Sequence, residues 1–420
     1  MQFVTLIHIM SKKITTDAYK GVRDFYPEDQ FIQDYIFFIW EHTLESFGYE
    51  KYNASVLEPS SLYEAKSGEE IVTEQTYNFK DRGDRMVTMR PEMTPTVARM
   101  IAGKKREIVF PARWFSIPNL FRYERPQKGR LREHWQLNVD VFGIAHVQAE
   151  IETIEIAATL LRNFGLSDTQ FVIKINDTAH LSKLLDEAGL DEIQSHAYRK
   201  LLDKKAKMNT KDFSEKAEKI LDGITIPEIT ESENITAIKE KLRLRQISNV
   251  EFAPEVVRGF DYYTGVVFEV FSTDGDNIRS LFGGGRYDDL LTIFDQDKLP
   301  AVGFGMGDVT IKDVLETYEL LPVFKPSAEL AICPLNDSYY DAAALLADDL
   351  RKEAVNVVVD YSGKKVGEQI KRADKRKIPF VVCLGDDEIH TNKFTVKELA
   401  TGKEKVMKQN KIAKFVKKSK

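Results

Sequence analysis

The densest concentration of chemistry-bearing side chains in the 420-residue chain is an arginine run, Phe121-Arg-Tyr-Glu-Arg-Pro-Gln-Lys-Gly-Arg-Leu-Arg-Glu133. It sets Arg122, Arg125, Lys128, Arg130 and Arg132 within eleven residues, and Pro126 and Gly129 make it a loop between two strands rather than a basic helix. Planar guanidinium forks match phosphate and carboxylate oxygens in pairs. The interleaved Glu124 and Glu133 imply further partners: an amino group, a base edge or a metal. A salt-bridged surface hairpin is the plain alternative. A second cluster, Arg258-Gly-Phe-Asp-Tyr-Tyr-Thr-Gly265, reads as a polar pocket with an aromatic wall, or equally as an edge strand with a packed tyrosine. In Gly283-Gly-Gly-Arg-Tyr-Asp-Asp-Leu290 the glycines allow close approach of a ligand to backbone, with Arg286 as another fork; a tight hairpin with an exposed arginine fits as well. In Arg90-Pro-Glu-Met-Thr-Pro95, Glu92 and Thr94 precede a helix, and capping alone would account for both.

Other chemistries are excluded by absence of pattern. No G-x-x-x-x-G-K-[ST] phosphate loop occurs, and Gly303 to Gly307 lacks the spacing of a dinucleotide fingerprint. There is no G-x-S-x-G elbow and no H-E-x-x-H. The seven histidines include no pair at ligand spacing on a helix face, and two cysteines support neither a disulfide framework nor a cysteine-rich zinc site. No metal ligands are assigned.

These segments need a scaffold, and the chain is long enough for two or three domains. With 43% hydrophobic and 30% charged residues it has an ordinary globular composition. The 60 Lys+Arg against 66 Asp+Glu leave a net charge of −6, which argues against a uniformly basic surface but not against clustered positive charge. No apolar run reaches the roughly 18 residues of a membrane span. The opening ten residues are apolar but lack a basic start and a cleavage site, so a signal peptide is not expected, Met10 is a second candidate start, and the cytoplasm is the expected compartment.

Periodicity predicts a helix over 29–47, with Ile32, Tyr35, Ile36, Ile39 and Trp40 on one stripe, and another over 150–164. Strands are predicted at 86–89 and 136–142. Residues 178–245 are rich in Lys, Glu and Leu and read as a helical module, followed by strand–turn–strand patterns at 262–271 and 301–306. After a proline-bearing linker at 321–326, apolar runs at 330–335, 355–360 and 379–384 alternate with helices at 339–353 and 364–377, predicting a small α/β domain with a parallel core. From Lys403 onward eight lysines face the single Glu404, which reads as a solvated end or, alternatively, a tRNA-facing tail.

Taken in order, these segments resemble the histidyl-tRNA synthetase family of class II aminoacyl-tRNA synthetases, over residues 19–407. Gly21-Val-Arg-Asp-Phe-Tyr-Pro27 is similar to the family's opening segment, and Phe47-Gly-Tyr with Leu57-Glu-Pro59 to motif 1, whose proline lies at a dimer interface. Residues 121–124 through Phe142-Gly143 resemble motif 2, and 258–264 and 283–290 the two segments peculiar to the histidine enzymes. The resemblance implies an α+β catalytic core, an antiparallel sheet flanked by helices, in two parts (1–177 and 251–320). These would be separated by a helical insertion (178–250) and followed by an α/β anticodon-binding domain (327–420). Glu368-Gln-Ile-Lys-Arg-Ala-Asp-Lys375 and Gly385-Asp-Asp-Glu388 carry the likeness in that last domain, which the family's regulatory relatives lack.

The resemblance further implies a homodimeric ligase that uses ATP and Mg²⁺ to activate L-histidine and transfers it to the 3′ end of tRNA(His). Arg122 would hold the ATP α-phosphate and the histidine carboxylate, facing Arg258. Glu124 would contact the adenine edge, His134 would stack on adenine, Arg130 would reach the outer phosphates, and Arg286 would join the ATP site. Glu92 and Thr94 would grip the α-amino group with Gln136 and Asp140 beside them, and Tyr262 and Tyr263 would form the imidazole pocket. The chain departs from the family at Thr310, where motif 3 usually has arginine, at His134, which stands where an aromatic commonly stacks on adenine, and at Met93, which replaces a small residue. Two rivals stand: a synthetase-like binding or regulatory protein without catalysis, and a sister class II enzyme for another amino acid.

Overall fold

The computed structural model describes residues 14–64, 75–125, 129–205, 208–258, 262–274 and 280–418. The apolar opening, with Met10, and the loop residues Pro126 and Lys128 lie outside the described residues, as does the Gly-Phe-Asp stretch at 259–261. The chain divides into two compact units, one ending at Pro322 and the other starting at Val323.

The first unit is built on a largely antiparallel sheet in the order β1-β5-β7-β12-β11-β10-β8-β9, with β6 paired to β7. Its strands are β1 (Glu50–Lys51), β5 (Ala112–Ser116), β6 (Asn119–Phe121), β7 (Glu133–Phe142), β8 (Phe171–Asp177), β9 (Val250–Phe252), β10 (Val266–Ser272), β11 (Ser280–Arg286) and β12 (Ala301–Gly307). A small antiparallel sheet, β2 (Leu57–Pro59), β4 (Met86–Met89) and β3 (Tyr77–Lys80), stands apart from it.

Two long helices cover one face. Helix α1 (Pro27–Ser46) opens with proline at a position where no N–H is needed, and Glu28 and Asp29 complement the helix dipole. Its stripe buries Ile36, Trp40 and Leu44, and the Trp40 indole N–H donates to the Met306 sulfur at 3.1 Å. Helix α3 (Gln148–Asn163) buries Ile151, Ile154, Ala158 and Leu161 on the same core, while α2 (Thr94–Lys104) packs with a second cluster that includes Tyr262 and Tyr287. Each large side chain removed from water here contributes on the order of 2 kcal/mol.

Register decides what the other face presents. Side chains alternate along a strand, so residues aligned across neighbouring strands share a face. One row reads Asn138, Gly305, Gly283, Glu269, Lys174; the next reads Asp140, Gly303, Gly285, Val267, Asn176. The uncovered face therefore carries polar side chains on β7 beside a strip of bare glycine backbone on β12 and β11.

Between β8 and β9 run α4 (Thr178–Glu187), α5 (Glu192–Asp203), α6 (Thr210–Leu221) and α7 (Glu233–Leu244). Leu181, Leu185, Tyr198, Leu201 and Leu202 form their own core, but Ile235, Ile238 and Leu242 of α7 belong to the core of the main sheet. The helical segment expected over 178–250 thus contains one helix that packs into the core of the main sheet. Its apolar stripe matches the sheet, a fact that composition conceals. Helix α8 (Asp308–Thr317) follows β12 directly.

The second unit is a five-stranded sheet in the order β14-β13-β15-β16-β17, parallel for the first three strands and antiparallel thereafter. Strands β13 (Leu330–Pro334), β14 (Val357–Val359), β15 (Phe380–Leu384), β16 (Lys393–Glu398) and β17 (Glu404–Lys408) pack with α9 (Tyr340–Lys352), α10 (Val366–Lys375), α11 (Asp386–Thr391) and α12 (Gln409–Lys418). The lysine-rich end is not simply a solvated tail. Strand β17 pairs with β16, and Ile412, Ala413 and Val416 of α12 are buried between the lysines. Among the described residues no helix is long and apolar enough to cross a membrane.

Candidate active site

The uncovered face of the first sheet holds a cleft of about 440 Å³, part of it open to solvent. Glu92, Thr94, Arg122, Gln136, Asp140, Arg258, Tyr262 and Tyr263 all line it, although they come from segments up to 171 positions apart in the sequence. Asn138, Tyr287, Gly283, Gly303 and Gly305 complete the wall and floor.

The glycines are required by proximity. A Cβ on Gly303 would collide with the Asp140 carboxylate and lie 2.5 Å from the Val139 carbonyl, and one on Gly283 would collide with the Phe268 carbonyl. At Gly305 the nearest obstacle would be the Gln136 side chain, at 2.9 Å.

Asp140 is fully enclosed and accepts a hydrogen bond from the Tyr287 hydroxyl. Burial lifts its carboxyl to about 7, with the Tyr287 bond opposing that rise. Tyr287 packs edge-on against Phe142 and Tyr262, and Tyr262 tilts against Tyr263 at 4.8 Å between ring centres. The Tyr262 hydroxyl donates to Glu92 at 3.4 Å. Burial raises all three tyrosine hydroxyls, so each remains a neutral donor at physiological pH. Glu92 is 3% exposed and α2 has no side-chain cap, so Glu92 and Thr94 face the cleft rather than cap the helix. Met93 between them is fully buried.

Arg122 donates to the Pro91 carbonyl at 2.8 Å, which orients its guanidinium. Arg258 sits in the left-handed region at φ 63 and pairs with Glu269 at 2.5 Å. Burial disfavours its charge, but Tyr263 and Glu269 more than compensate and push its pKa up. His134 shares the face of Gln136, Asn138 and Asp140 by strand alternation. Burial, together with Arg122 and Arg23, pushes the imidazole down to about 3, so the ring is uncharged and suited to stacking.

Three residues of the arginine-rich loop do not line the cleft. Glu124 and the half-exposed Arg130 form a 3.7 Å ion pair, and the Glu124 carbonyl accepts from Arg132. Arg132 stacks on Tyr123 at 4.0 Å and serves the loop's own structure.

Arg286 requires a correction. It follows the glycines but is three residues from Gly283, so strand alternation turns it to the helix-covered face. There it is 8% exposed and makes a two-pronged salt bridge with Glu150 of α3, at 2.6 and 2.7 Å, plus a contact to Asp288 at 3.1 Å. It joins strand to helix and does not reach the expected ATP site. Residue type alone misses Asn138 and Tyr287. Alternation is the signal that finds Asn138, midway between Gln136 and Asp140. Thr310 lies in the first turn of α8, where its hydroxyl donates to the Leu281 and Gly307 carbonyls at 3.1 and 3.0 Å and brings no charge. Beside it, Arg23 pairs with Asp308 at 2.7 Å.

A largely antiparallel sheet with two arginines lining a cleft over a glycine floor defines a class II aminoacyl-tRNA synthetase core, and the comparisons agree. The family model described as "Histidyl-tRNA synthetase" matches residues 21–224 and 215–308, and that described as "Anticodon binding domain" matches 329–419. A curated histidine–tRNA ligase from Leptospira biflexa is 43% identical over 414 residues, covering 93% of this chain and 94% of the relative. The solved histidyl-tRNA synthetase from Nostoc sp. PCC 7120 superposes with a TM-score of 0.80 at 20% identity, covering 97% of this chain and all of that one. The apo enzyme from S. aureus gives 0.76 at 24% identity, covering 96% and all. The chain belongs to the histidyl-tRNA synthetase family.

The ionised form of Asp140 attracts either an ammonium group or an imidazole N–H more strongly than the neutral acid does. The KM for histidine is therefore expected to fall as pH rises through about 7. Asp140→Asn should weaken binding and remove that step, which steady-state kinetics across pH 5.5–8.5 would read, an interval of about one and a half units either side of the transition. An unchanged step in the Asn variant would assign the titration elsewhere.

Proposed function

We propose that this chain activates L-histidine with ATP and transfers it to the 3′ end of tRNA(His). The observation that carries the reading is the single cleft uniting two arginines with an enclosed carboxylate and a tyrosine wall, on a chain of this family. Its size and chemistry suit an amino acid whose ring offers a donor and an acceptor on different nitrogens. Glu92 and Thr94 take the ammonium group with Gln136 and Asp140 beside them, while Tyr262 and Tyr263 wall the ring. A side chain of similar shape without those nitrogens would leave buried polar groups unpaired, which is the strong form of discrimination.

In the first step a histidine carboxylate oxygen attacks the α-phosphorus. The new O–P bond forms as the bond to the bridging oxygen breaks, and pyrophosphate leaves. Negative charge grows on the α-phosphoryl oxygens between Arg122 and Arg258, whose positions are set before reaction; preorganised charge of this kind is usually the largest catalytic contribution. His134 offers a neutral face to adenine, Glu124 its edge contact, and Arg130 a cation for the outer phosphates. Mg²⁺ bound to the ATP phosphates would screen their charge. In the second step the terminal tRNA hydroxyl attacks the histidyl carbonyl carbon. AMP departs, its phosphate taking the proton, so no separate enzyme base is needed. The second unit is the tRNA-recognition module in this reading, and the cytoplasm is the place of work.

A homodimer is part of the proposal. Leu57 and Phe79, on the face of the small sheet that also carries Pro59, are 46% and 43% exposed, apolar side chains suited to covering by a second copy.

Histidine-dependent ATP–pyrophosphate exchange tests the catalytic reading. Exchange with histidine alone is expected, and Arg258→Ala should lower it by roughly two orders of magnitude or more while the protein still folds. Exchange with no amino acid would favour a binding protein, and exchange with another would favour a sister enzyme. Sedimentation equilibrium should return twice the 48.1 kDa chain mass; a monomer at micromolar concentration would contradict the dimer.

A further inference from the structure

Arg258 is an unusual place to put a mobile side chain. Its backbone occupies the left-handed region at φ 63, a conformation that costs a non-glycine residue free energy and persists only where the surroundings enforce it. The guanidinium lies over Gly283, where an added Cβ would sit 3.0 Å from Nη1. Two of its nitrogens are engaged. Nη1 donates to the Glu269 carboxylate at 2.5 Å and Nη2 to the Gly283 carbonyl at 3.3 Å. The Nε–H is buried without a hydrogen-bond partner, on an arginine that lines the cleft.

Glu269 is itself fixed by the fold. It lies on β10 in register with Gly283 and Lys174, on the face that carries the cleft. Lys174, its neighbour in the row, is turned to Glu255 at 3.7 Å and to the Phe271 ring at 5.3 Å. The Glu269 carboxylate therefore pairs with Arg258, whose other facing group is the Tyr263 ring at 5.9 Å.

We propose that Glu269 is a positioning residue for the activation step. It clamps one edge of the Arg258 guanidinium against the glycine floor, leaving the remaining N–H groups aimed at the charge that develops on the reacting phosphoryl group. It touches neither substrate. A long arginine side chain released from such a clamp samples several rotamers, and small misplacements of a charged group at the reacting centre cost rate far more than affinity.

The inference rests on the proposed activation of histidine by ATP, and the same exchange assay separates the two. Using the full chain, Glu269→Gln should lower kcat roughly tenfold to a hundredfold while the KM values for ATP and histidine stay within about threefold. Glu269→Asp, which keeps the charge, should recover part of that loss. Combining Glu269→Gln with Arg258→Ala should be no slower than Arg258→Ala alone, because the carboxylate acts through the arginine. A kcat equal to wild type in Glu269→Gln, or the same fractional loss in the Arg258→Ala background, would overturn the proposal and leave the functional reading intact. If circular dichroism shows the Gln variant unfolded, Glu269→Asp with and without Arg258→Ala makes the same comparison. Absence of histidine-dependent exchange in the wild type would overturn both.

Discussion

Backbone standing bare across two adjacent strands is the constraint on which the rest of the first unit depends. Gly283 and Gly285 on β11 and Gly303 and Gly305 on β12 occupy the cleft-facing positions of their strands, and added side chains there would meet carbonyls, the Asp140 carboxylate or the Gln136 side chain. A glycine in a strand weakens it, because it adds unfolded-state entropy and packs nothing. The sheet offsets this by burying the opposite side of the same strands under α1 and α3, through Phe282, Val302, Phe304 and Met306. One face of each strand thus provides stability while the other provides room.

The polar groups are arranged around that room by the same register. β7 supplies Gln136, Asn138 and Asp140 along one edge of the floor, and β10 supplies Glu269 along the other. Arg258 comes from a separate loop to sit on the floor, and Arg122 is held by the Pro91 carbonyl. Low local polarity strengthens each of these interactions and explains the large displacement of Asp140 and His134 from their ordinary titration ranges.

Much of this is legible in the sequence alone. The stripe of Ile32, Ile36 and Trp40 places α1, and the alternation of apolar runs with helices places the second unit. Residue type together with family resemblance names eight cleft residues. What escapes has a common cause, namely that residue type carries no strand parity. Arg286 groups with the glycines that precede it, though its position turns it toward Glu150, and Asn138 hides between two neighbours of more evident chemistry. Charge dominates the lysine-rich end, while Ile412, Ala413 and Val416 at helical spacing carry the packing signal. The pairing of Glu269 with Arg258 has no signal in the sequence, since only the β10–β11 register and a left-handed backbone bring them together.

The most direct test of this account is a single methyl group on the floor. Gly305→Ala would press first on the end of the flexible Gln136 side chain, so the fold should survive while the histidine site deforms. Isothermal titration of L-histidine, paired with a thermal melt, is the measurement. The account predicts affinity reduced about tenfold or more, equivalent to about 1.4 kcal/mol, with a melting temperature close to wild type. Wild-type affinity in the folded variant would contradict the claim that bare backbone at this row shapes the substrate site.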